Sequence, residues 1–176
     1  MTSGGTGVGP GDIVRRALGG DRVGRDGPGR DGLSRDGSVR FTEVSLFPCS
    51  SLGYGALGPA GVSVICLPGD PGAALIGFEV LARPVIQKLA GAETVFRHSV
   101  RAHLLETVAS PLGLREFRPA YVSERRGGGY TAKPLSAGPY TLSGLAPANG
   151  LIVLGERVDR SPAGSTVDVL LLDRRR

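Results

Sequence analysis

The sequence predicts an α/β chain in two parts: an α/β domain over residues 1–92, then a small all-β domain over residues 93–176. Three observations carry that prediction. The chain opens on a glycine-rich loop, Thr2-Ser3-Gly4-Gly5-Thr6-Gly7-Val8-Gly9-Pro10-Gly11-Asp12, which leads into a helical pattern. Further on, the apolar run Val62–Leu67 passes directly into Pro68-Gly69-Asp70-Pro71 and then into a long helical pattern. After Gly91 the strand–helix alternation stops, and short apolar runs separated by Gly and Pro clusters take over.

The opening loop suits an anion, because a helix start presents unpaired N–H groups and a partial positive charge. Such a loop ordinarily follows a buried strand. Only Met1 precedes this one, so the sequence predicts a loop without its strand. Residues 12–18 fit a short helix with Asp12 as its cap, an apolar stripe of Ile13, Val14, Ala17 and Leu18, and a stop at Gly19-Gly20. Residues 20–38 repeat Arg-Asp-Gly at Arg25, Arg30 and Arg35 and carry few apolar side chains. Such a stretch buries no core and is expected to form a mobile loop, its alternating charges cancelling.

Val39–Leu46 reads as a strand ended by Pro48. Val62–Leu67, nearly all apolar, reads as the central strand of a parallel sheet. The helical pattern over Gly72–Leu89 sets Ala74, Leu75, Phe78, Leu81, Val85 and Leu89 on one face, with a kink or restart at Pro84 and an end at Gly91. Strand, tight turn and helix in succession is the arrangement by which open α/β sheets bind ligands at strand carboxyl ends. The β domain is predicted from the runs Val95–Val108, Leu114–Ser123, Tyr130–Pro134, Leu151–Leu154 and Thr166–Leu172.

Composition excludes several function classes. The 176 residues are 40% hydrophobic and 21% charged, as in a globular protein. No apolar run reaches the ~18 residues of a membrane span, and no signal-peptide pattern opens the chain, so a cytoplasmic location is expected. The net charge of +5 rests on arginine, Lys88 and Lys133 being the only lysines, and it matches a GC-rich coding bias. No aromatic-interleaved basic stripe points to nucleic acid, while small anions remain compatible with the charge. Cys49 and Cys66 form no Cys-x-x-Cys pair, and His98 and His103 read as surface or packing residues.

Three segments together resemble the molybdopterin molybdenumtransferase family, the MoeA and gephyrin E-domain type. Thr2-Ser3-Gly4-Gly5-Thr6-Gly7-Val8-Gly9 with Asp12 is similar to that family's Thr-Ser-Gly-Gly-x-Ser-x-Gly-x-x-Asp loop. Leu67-Pro68-Gly69-Asp70-Pro71, with Ala74-Leu75, Phe78-Glu79, Arg83-Pro84 and Leu89-Ala90-Gly91, resembles its Leu-Pro-Gly-Asn-Pro segment and the helix after it. Ser143-Gly144-Leu145-Ala146 and Ala148-Asn149-Gly150-Leu151-Ile152 resemble its Ser-Leu-Ala-x-Ala-Asn-Gly-Leu-Ile, and Ala163-Gly164 fits as well.

The resemblance implies a partial three-layer αβα domain of the molybdopterin-binding (MoaB/Mog-like) kind followed by a β-barrel-like domain. It implies insertion of molybdate into the dithiolene of adenylylated molybdopterin, assisted by Mg²⁺, with release of AMP. Gly4, Gly5 and Gly7 would approach phosphate closely, because no Cβ intervenes. Ser3 and Thr6 would donate hydroxyls. Asp12 would serve as the catalytic and metal-holding carboxylate, with a helix cap as the competing reading. Pro68, Gly69, Asp70 and Pro71 would form the facing wall, although a tight turn at Gly69 and a helix cap at Asp70 account for those residues without a ligand.

The chain also departs from the family. The segment Leu46–Gly55 keeps Pro48, Gly53, Tyr54 and Gly55, but Cys49-Ser50-Ser51 replaces Gly-Lys-Pro, so Ser50 stands where a lysine would face an oxyanion. Asp70 replaces a neutral Asn, and Gly138-Pro139 replaces Gly-Ser. Each such contact is worth roughly 1–3 kcal/mol, so turnover is expected to be weak. The family's N-terminal domains and the earlier half of its ligand domain have no counterpart in this sequence. Exposed edges would then favour a homo-oligomer or a complementing chain. Three readings stay open: a truncated molybdenumtransferase-like protein, a non-catalytic binding or interaction module, and an adenylyltransferase-like activity suggested by Gly4-Gly5-Thr6-Gly7.

Overall fold

The computed structural model describes residues 1–18, 39–135 and 140–172. The Arg-Asp-Gly stretch, the Gly19-Gly20 stop and the Gly138-Pro139 departure lie outside them. Backbone contacts divide the chain into two units, Met1–Val44 with Cys49–Phe78, and Ser45–Pro48 with Glu79–Arg176.

The first unit holds β1 (Thr2–Ser3), α1 (Ile13–Leu18) and β2 (Val39–Glu43). β3 (Leu46–Phe47) belongs to the second unit; β4 (Ser51–Leu57), β5 (Val62–Leu67) and α2 (Pro71–Gly77) complete the first. Its sheet runs in the order β1-β5-β4-β2. Two expectations are corrected here. The glycine loop does have a strand, a two-residue one paired in parallel with β5 through Thr2↔Cys66 and Ser3↔Leu67. The sheet is also mixed, because β5 lies antiparallel to β4 on its other side. The cause is the short link Gly58-Pro59-Ala60-Gly61, with Gly58 and Gly61 at φ 67° and 61°, which only an antiparallel hairpin permits. β4 escaped the sequence reading because glycines at 53 and 55 dilute its apolar signal. At Gly53 the gap is filled: a Cβ there would stand 2.6 Å from the Phe41 ring across the β2–β4 pair. The strand expected over Val39–Leu46 ends at Glu43, and Leu46–Phe47 pairs instead with a strand of the second unit.

Asp70 caps α2, its Oδ1 accepting from the Ala73 amide at 2.8 Å, and Pro71 occupies the first turn, where an absent N–H goes unmissed. The buried side of α2 is Gly72, Ala73, Ile76 and Gly77. The predicted stripe is therefore corrected: Leu75, Phe78 and Leu81 are only half-buried, and Leu89 is 72% exposed. Small residues face the sheet because the approach is close, a Cβ at Gly77 meeting Cys49 Sγ at 2.8 Å. A π-turn over Phe78–Ala82 then shifts the phase before α3 (Arg83–Leu89), so no single 3.6-residue stripe spans both helices. The restart expected at Pro84 occurs, with Pro84 buried in the first turn of α3.

The second unit contains β6 (Ser99–Leu104), β7 (Val108–Ala109), β8 (Arg115–Glu124), β9 (Tyr130–Pro134), α4 (Leu142–Leu145), β10 (Gly150–Leu154), β11 (Arg160–Ser161) and β12 (Thr166–Leu171). Its sheet runs β10-β12-β6-β9-β8-β3, and a further β10–β8 pairing closes β10, β12, β6, β9 and β8 into a ring. Closure removes most free edges. The interior is built from alternate residues of those strands, including Ala102, Leu104, Ala120, Val122, Ala132, Ile152 and Val169. His98 and His103 are both exposed, and His98 precedes the strand expected to hold it, which starts at Ser99.

Gly150 marks the tightest point of that interior. A Cβ there would stand 2.5 Å from Val122 Cγ2 and 3.0 Å from Val169 Cγ1. Gly150→Ala is expected to lower stability by about 1–3 kcal/mol through overpacking, read as an earlier urea midpoint at unchanged slope.

Candidate functional site

The predicted loops come together at one end of the first unit's sheet. Because β1 and β5 are parallel neighbours, their carboxyl ends emerge side by side. The Gly4 amide donates to the Leu67 carbonyl at 2.9 Å, and Ser3 Oγ donates to the Pro68 carbonyl at 3.0 Å. Gly69 lies so near that its Cβ would stand 3.3 Å from Gly4 Cα. Ser3 and Gly4 thus meet Pro68 and Gly69 at the strand ends, where the crevice of an open α/β sheet places ligands.

The loop's shape depends on Gly5 and Gly7. Gly5 has φ 69°, a conformation L side chains rarely adopt, and a Cβ there would meet the Val14 amide nitrogen at 3.0 Å. Its carbonyl accepts from the Arg15 amide at 2.8 Å, fastening the loop to the start of α1. Gly7 is required for a different reason: a Cβ there would stand 2.8 Å from Asp12 Oδ2.

Asp12 reaches back into the loop and does not cap α1 with its side chain. Oδ1 accepts from the Gly7 amide at 3.1 Å and Oδ2 from the Gly9 amide at 2.7 Å. The carboxylate therefore closes the loop on itself, a role that neither reading of the sequence assigned to it.

Thr6 is buried, and its carbonyl accepts from Ser51 Oγ at 2.9 Å. Ser51 is a site residue that the sequence reading missed; it sits where the family motif has proline, so only its place beside Ser50 pointed to it. Ser50 is exposed, and its carbonyl accepts from the Val44 amide at 2.8 Å. Asp70 is exposed and engaged as the α2 cap. The Arg15 guanidinium stacks 5.6 Å from the Phe41 ring centre, and Arg16 Nη1 donates to the Pro10 carbonyl at 3.2 Å. Two cations thus sit on the helix that follows the loop, a signal present in Arg15-Arg16 and left unread.

The neighbouring Cys49 is buried, and burial pushes its thiol up to about 11, so it stays protonated at neutral pH and is a poor nucleophile. What the loop offers is the Gly5 amide, glycine backbone that a ligand can approach without a Cβ intervening, and one carboxylate whose oxygens keep acceptor capacity, a set suited to an anion's approach and a hard cation. Among the described residues no group of three His, Cys, Asp or Glu side chains gathers to hold a metal alone.

Residues 1–88 match the family described as a probable molybdopterin binding domain, and residues 101–172 match the MoeA C-terminal region (domain IV). The chain belongs to the MoeA family. Among relatives, molybdopterin molybdenumtransferase 2 of Mycobacterium tuberculosis is 32% identical over 172 residues, 96% of this chain and 38% of the relative. Molybdopterin molybdenumtransferase 1 of the same organism is 33% identical over 135 residues, 74% of this chain and 32% of the relative. Solved MoeA structures follow the same fold. The molybdopterin biosynthesis MoeA protein of Pyrococcus horikoshii gives a TM-score of 0.64 at 25% identity, over 78% of this chain and 33% of that one. A molybdenum cofactor biosynthesis protein of Pyrococcus furiosus gives 0.61 at 29% identity, over 76% and 45%. This MoeA-family chain thus spans about a third to two fifths of the length of these curated relatives.

Proposed function

We propose that the chain acts in molybdenum cofactor biosynthesis as a molybdopterin molybdenumtransferase-like protein, binding molybdopterin or its adenylylated form. The observation that carries this reading is the meeting of the Ser3–Gly7 loop with the Pro68–Pro71 turn at adjacent parallel strand ends. In it, the Gly5 amide and the Cβ-free backbone of Gly4 and Gly7 face the phosphate side of the ligand, while the Gly4 and Gly7 amides and the Ser3 hydroxyl, given to Leu67, Asp12 and Pro68, hold the loop's shape around buried Thr6. Pro68, Gly69, Asp70 and Pro71 wall the opposite side, and Ser50 borders it. The proposed domains, 1–92 for ligand binding and 93–176 for the barrel, are supported by a boundary that falls between the two matched stretches.

Mg²⁺ suits the donors present, which are hard oxygens without histidine or thiolate. Asp12 would hold it, since each carboxylate oxygen keeps acceptor capacity beyond its one amide bond, with water and ligand phosphate completing the shell. Bound there, the ion would neutralise charge on phosphate oxygens. The chain's own part is to fix the loop around the ligand and exclude water from its glycine face.

The alternative of a non-catalytic molybdopterin-binding module draws support from Ser50 and Asp70. These leave the site without a lysine and with an added negative charge. The barrel, matched to the MoeA C-terminal region, counts against an adenylyltransferase-like activity. A cytoplasmic location and a homo-oligomer or complementing chain belong to the same proposal, without nucleic acid or membrane as partner. Among the described residues no helix is long and apolar enough to cross a membrane. Among the described residues β5 pairs on its outer side at Cys66 and Leu67 alone, an arrangement that supports an added strand there.

Calorimetry with adenylylated molybdopterin tests binding, and its absence would overturn the proposal. Rescue of a molybdenumtransferase-deficient strain separates catalysis from binding alone. Asp70→Asn keeps an equally good cap and removes one negative charge. It is expected to leave the unfolding midpoint unchanged while tightening ligand binding roughly fivefold at low salt. An unchanged affinity would place the anion away from Asp70.

A further inference from the structure

Asn149 is the only asparagine in the chain, and Gly150 follows it. Its Oδ1 accepts from the Val122 amide at 2.6 Å, and its Nδ2 donates to the Val122 carbonyl at 2.9 Å. One carboxamide therefore satisfies both main-chain groups of Val122 on β8, a task that takes a donor and an acceptor on the same short side chain. The main chain of Asn149 is engaged on both sides as well. Its amide donates to the Ala120 carbonyl at 3.2 Å, and its carbonyl accepts from the Leu172 amide at 2.9 Å.

An asparagine followed by glycine is prone to lose its carboxamide, because a next residue without Cβ leaves the way open to ring closure. The Gly150 nitrogen gives up its proton and adds to Asn149 Cγ. The Cγ–Nδ2 bond breaks, and the leaving nitrogen takes up the proton and departs as ammonia. Water then opens the cyclic imide at either carbonyl, giving aspartate or isoaspartate. The native geometry blocks the first step. Closure needs Cγ to swing over the Gly150 nitrogen, whereas both carboxamide atoms are pinned to Val122. Gly150 itself is buried and paired with both Ala120 and Leu171, and a Cβ on it would stand 2.5 Å from Val122 Cγ2, so the ring has no room to form.

We infer that Asn149 is a latent deamidation site of the barrel: its bonds to β8 hold it unreactive in the folded chain, and it converts only when the entry to β10 comes loose. The site lies where loosening starts. Asn149 directly precedes β10, and before it the chain turns away, the Ala148 amide bonding to Leu145 of α4, a helix with no buried residue. Strand ends open at lower cost than strand centres. Conversion runs one way. Aspartate keeps the bond to the Val122 amide but sets an oxygen against the Val122 carbonyl, which loses its donor. Isoaspartate also lengthens the main chain by a methylene and shifts Gly150 out of its place opposite Ala120. Either product makes the barrel's end easier to open, so conversion marks chains that have already opened. The property belongs to the barrel and holds whether or not the crevice at Gly4 and Gly69 binds molybdopterin.

The test is incubation of the full chain at mildly alkaline pH, native and in unfolding urea, beside a peptide of residues 147–152. Loss of ammonia is read by mass spectrometry on the fragment that contains Asn149. The reading is specific, because the chain has no other asparagine and its Asp-Gly pairs at 26–27, 31–32 and 36–37 isomerise without a change of mass. The unfolded chain and the peptide are expected to convert at the same rate, and the native chain at least about a hundredfold more slowly. A native chain that converts as fast as the unfolded one, or an unfolded chain that keeps Asn149 intact, would overturn the inference. Asn149→Asp tests the consequence separately and is expected to unfold at a lower urea concentration than the wild type. An unchanged midpoint would show that conversion does not loosen the barrel, against the inference.

Discussion

Arg97→Ala is expected to destabilise the protein by about 3–5 kcal/mol, because it strands a buried carboxylate. Glu79 is 8% exposed and lies in the π-turn between α2 and α3. Both its oxygens are met by Arg97: Nε donates to Oε2 at 2.8 Å and Nη2 to Oε1 at 2.9 Å. Arg97 Nη1 donates onward to the Leu172 carbonyl just past β12, so one guanidinium ties the helical segment to the end of the barrel strand. The planar fork matches the carboxylate in a way that lysine does not. The loss should appear as a fall of roughly 10 °C in the unfolding midpoint, with Arg97→Lys recovering only part of it. Glu79→Leu combined with Arg97→Met removes both charges together, so it should cost much less than either charge-stranding change. A double variant as unstable as Arg97→Ala would show that the pair's worth lies in packing and not in charge compensation.

The same region shows what a sequence conveys and what it hides. The Leu-Pro-Gly-Asp-Pro turn was readable because each residue has a local reason. Pro71 pre-sets a helix start, Asp70 caps it, and an apolar run before it needs a buried strand. The runs of the β domain were readable from the Gly and Pro clusters between them, and Tyr130–Pro134 matches β9 residue for residue, whereas the run expected over Val95–Val108 holds β6 and the start of β7 as two separate strands. The helix face was not, because volume was taken as the sign of burial. Here the sheet is approached so closely that Gly72, Ala73 and Gly77 face inward while Leu89 is left outside. No pattern local to Phe78–Ala82 announces a π-turn, nor that its Glu79 pairs with Arg97, eighteen residues further on.

Parallel pairing of Thr2–Ser3 with Cys66–Leu67 was equally hidden, because it joins residues more than sixty positions apart through only two register pairs. The crevice was legible as two separate loops, and their meeting was not. The buried Glu116 shows the same limit in the barrel. It is 0% exposed, accepts from the Tyr140 hydroxyl at 2.6 Å and lies 2.6 Å from Arg118 Nε. Burial, then the hydrogen bond to Glu116, pushes the Tyr140 phenol up. In the sequence these are three ordinary polar residues, one of them twenty-two or more positions from the others.

Asp12→Ala is expected to weaken binding of adenylylated molybdopterin by at least about thirtyfold, or ~2 kcal/mol, while costing only about 1–2 kcal/mol of stability. The split follows from where the carboxylate sits. Its bonds to the Gly7 and Gly9 amides close a loop at the surface, so unfolding energetics lose only two partly solvated hydrogen bonds. Ligand binding loses more, because Gly4 and Gly5 are presented only while the loop is closed, and an open loop must be ordered again by the ligand. Asp12→Asn separates the two roles assigned to this residue. Its carbonyl oxygen can still accept from one amide, but its NH₂ faces the other, so the clamp is half kept while the charge is gone. If Asp12 only closes the loop, Asn should bind with intermediate affinity, and Mg²⁺ should tighten binding by the same factor in all three proteins. If Asp12 also holds the ion, the Mg²⁺-dependent increment should vanish in Asn and Ala alike. Gly7→Ala supplies an independent check, since a methyl group 2.8 Å from Oδ2 pushes the carboxylate off the loop without removing its charge. It should weaken the ligand nearly as far as Asp12→Ala does. Wild-type affinity in both Gly7→Ala and Asp12→Ala would mean that closure of this loop is not what presents its glycine backbone to the ligand.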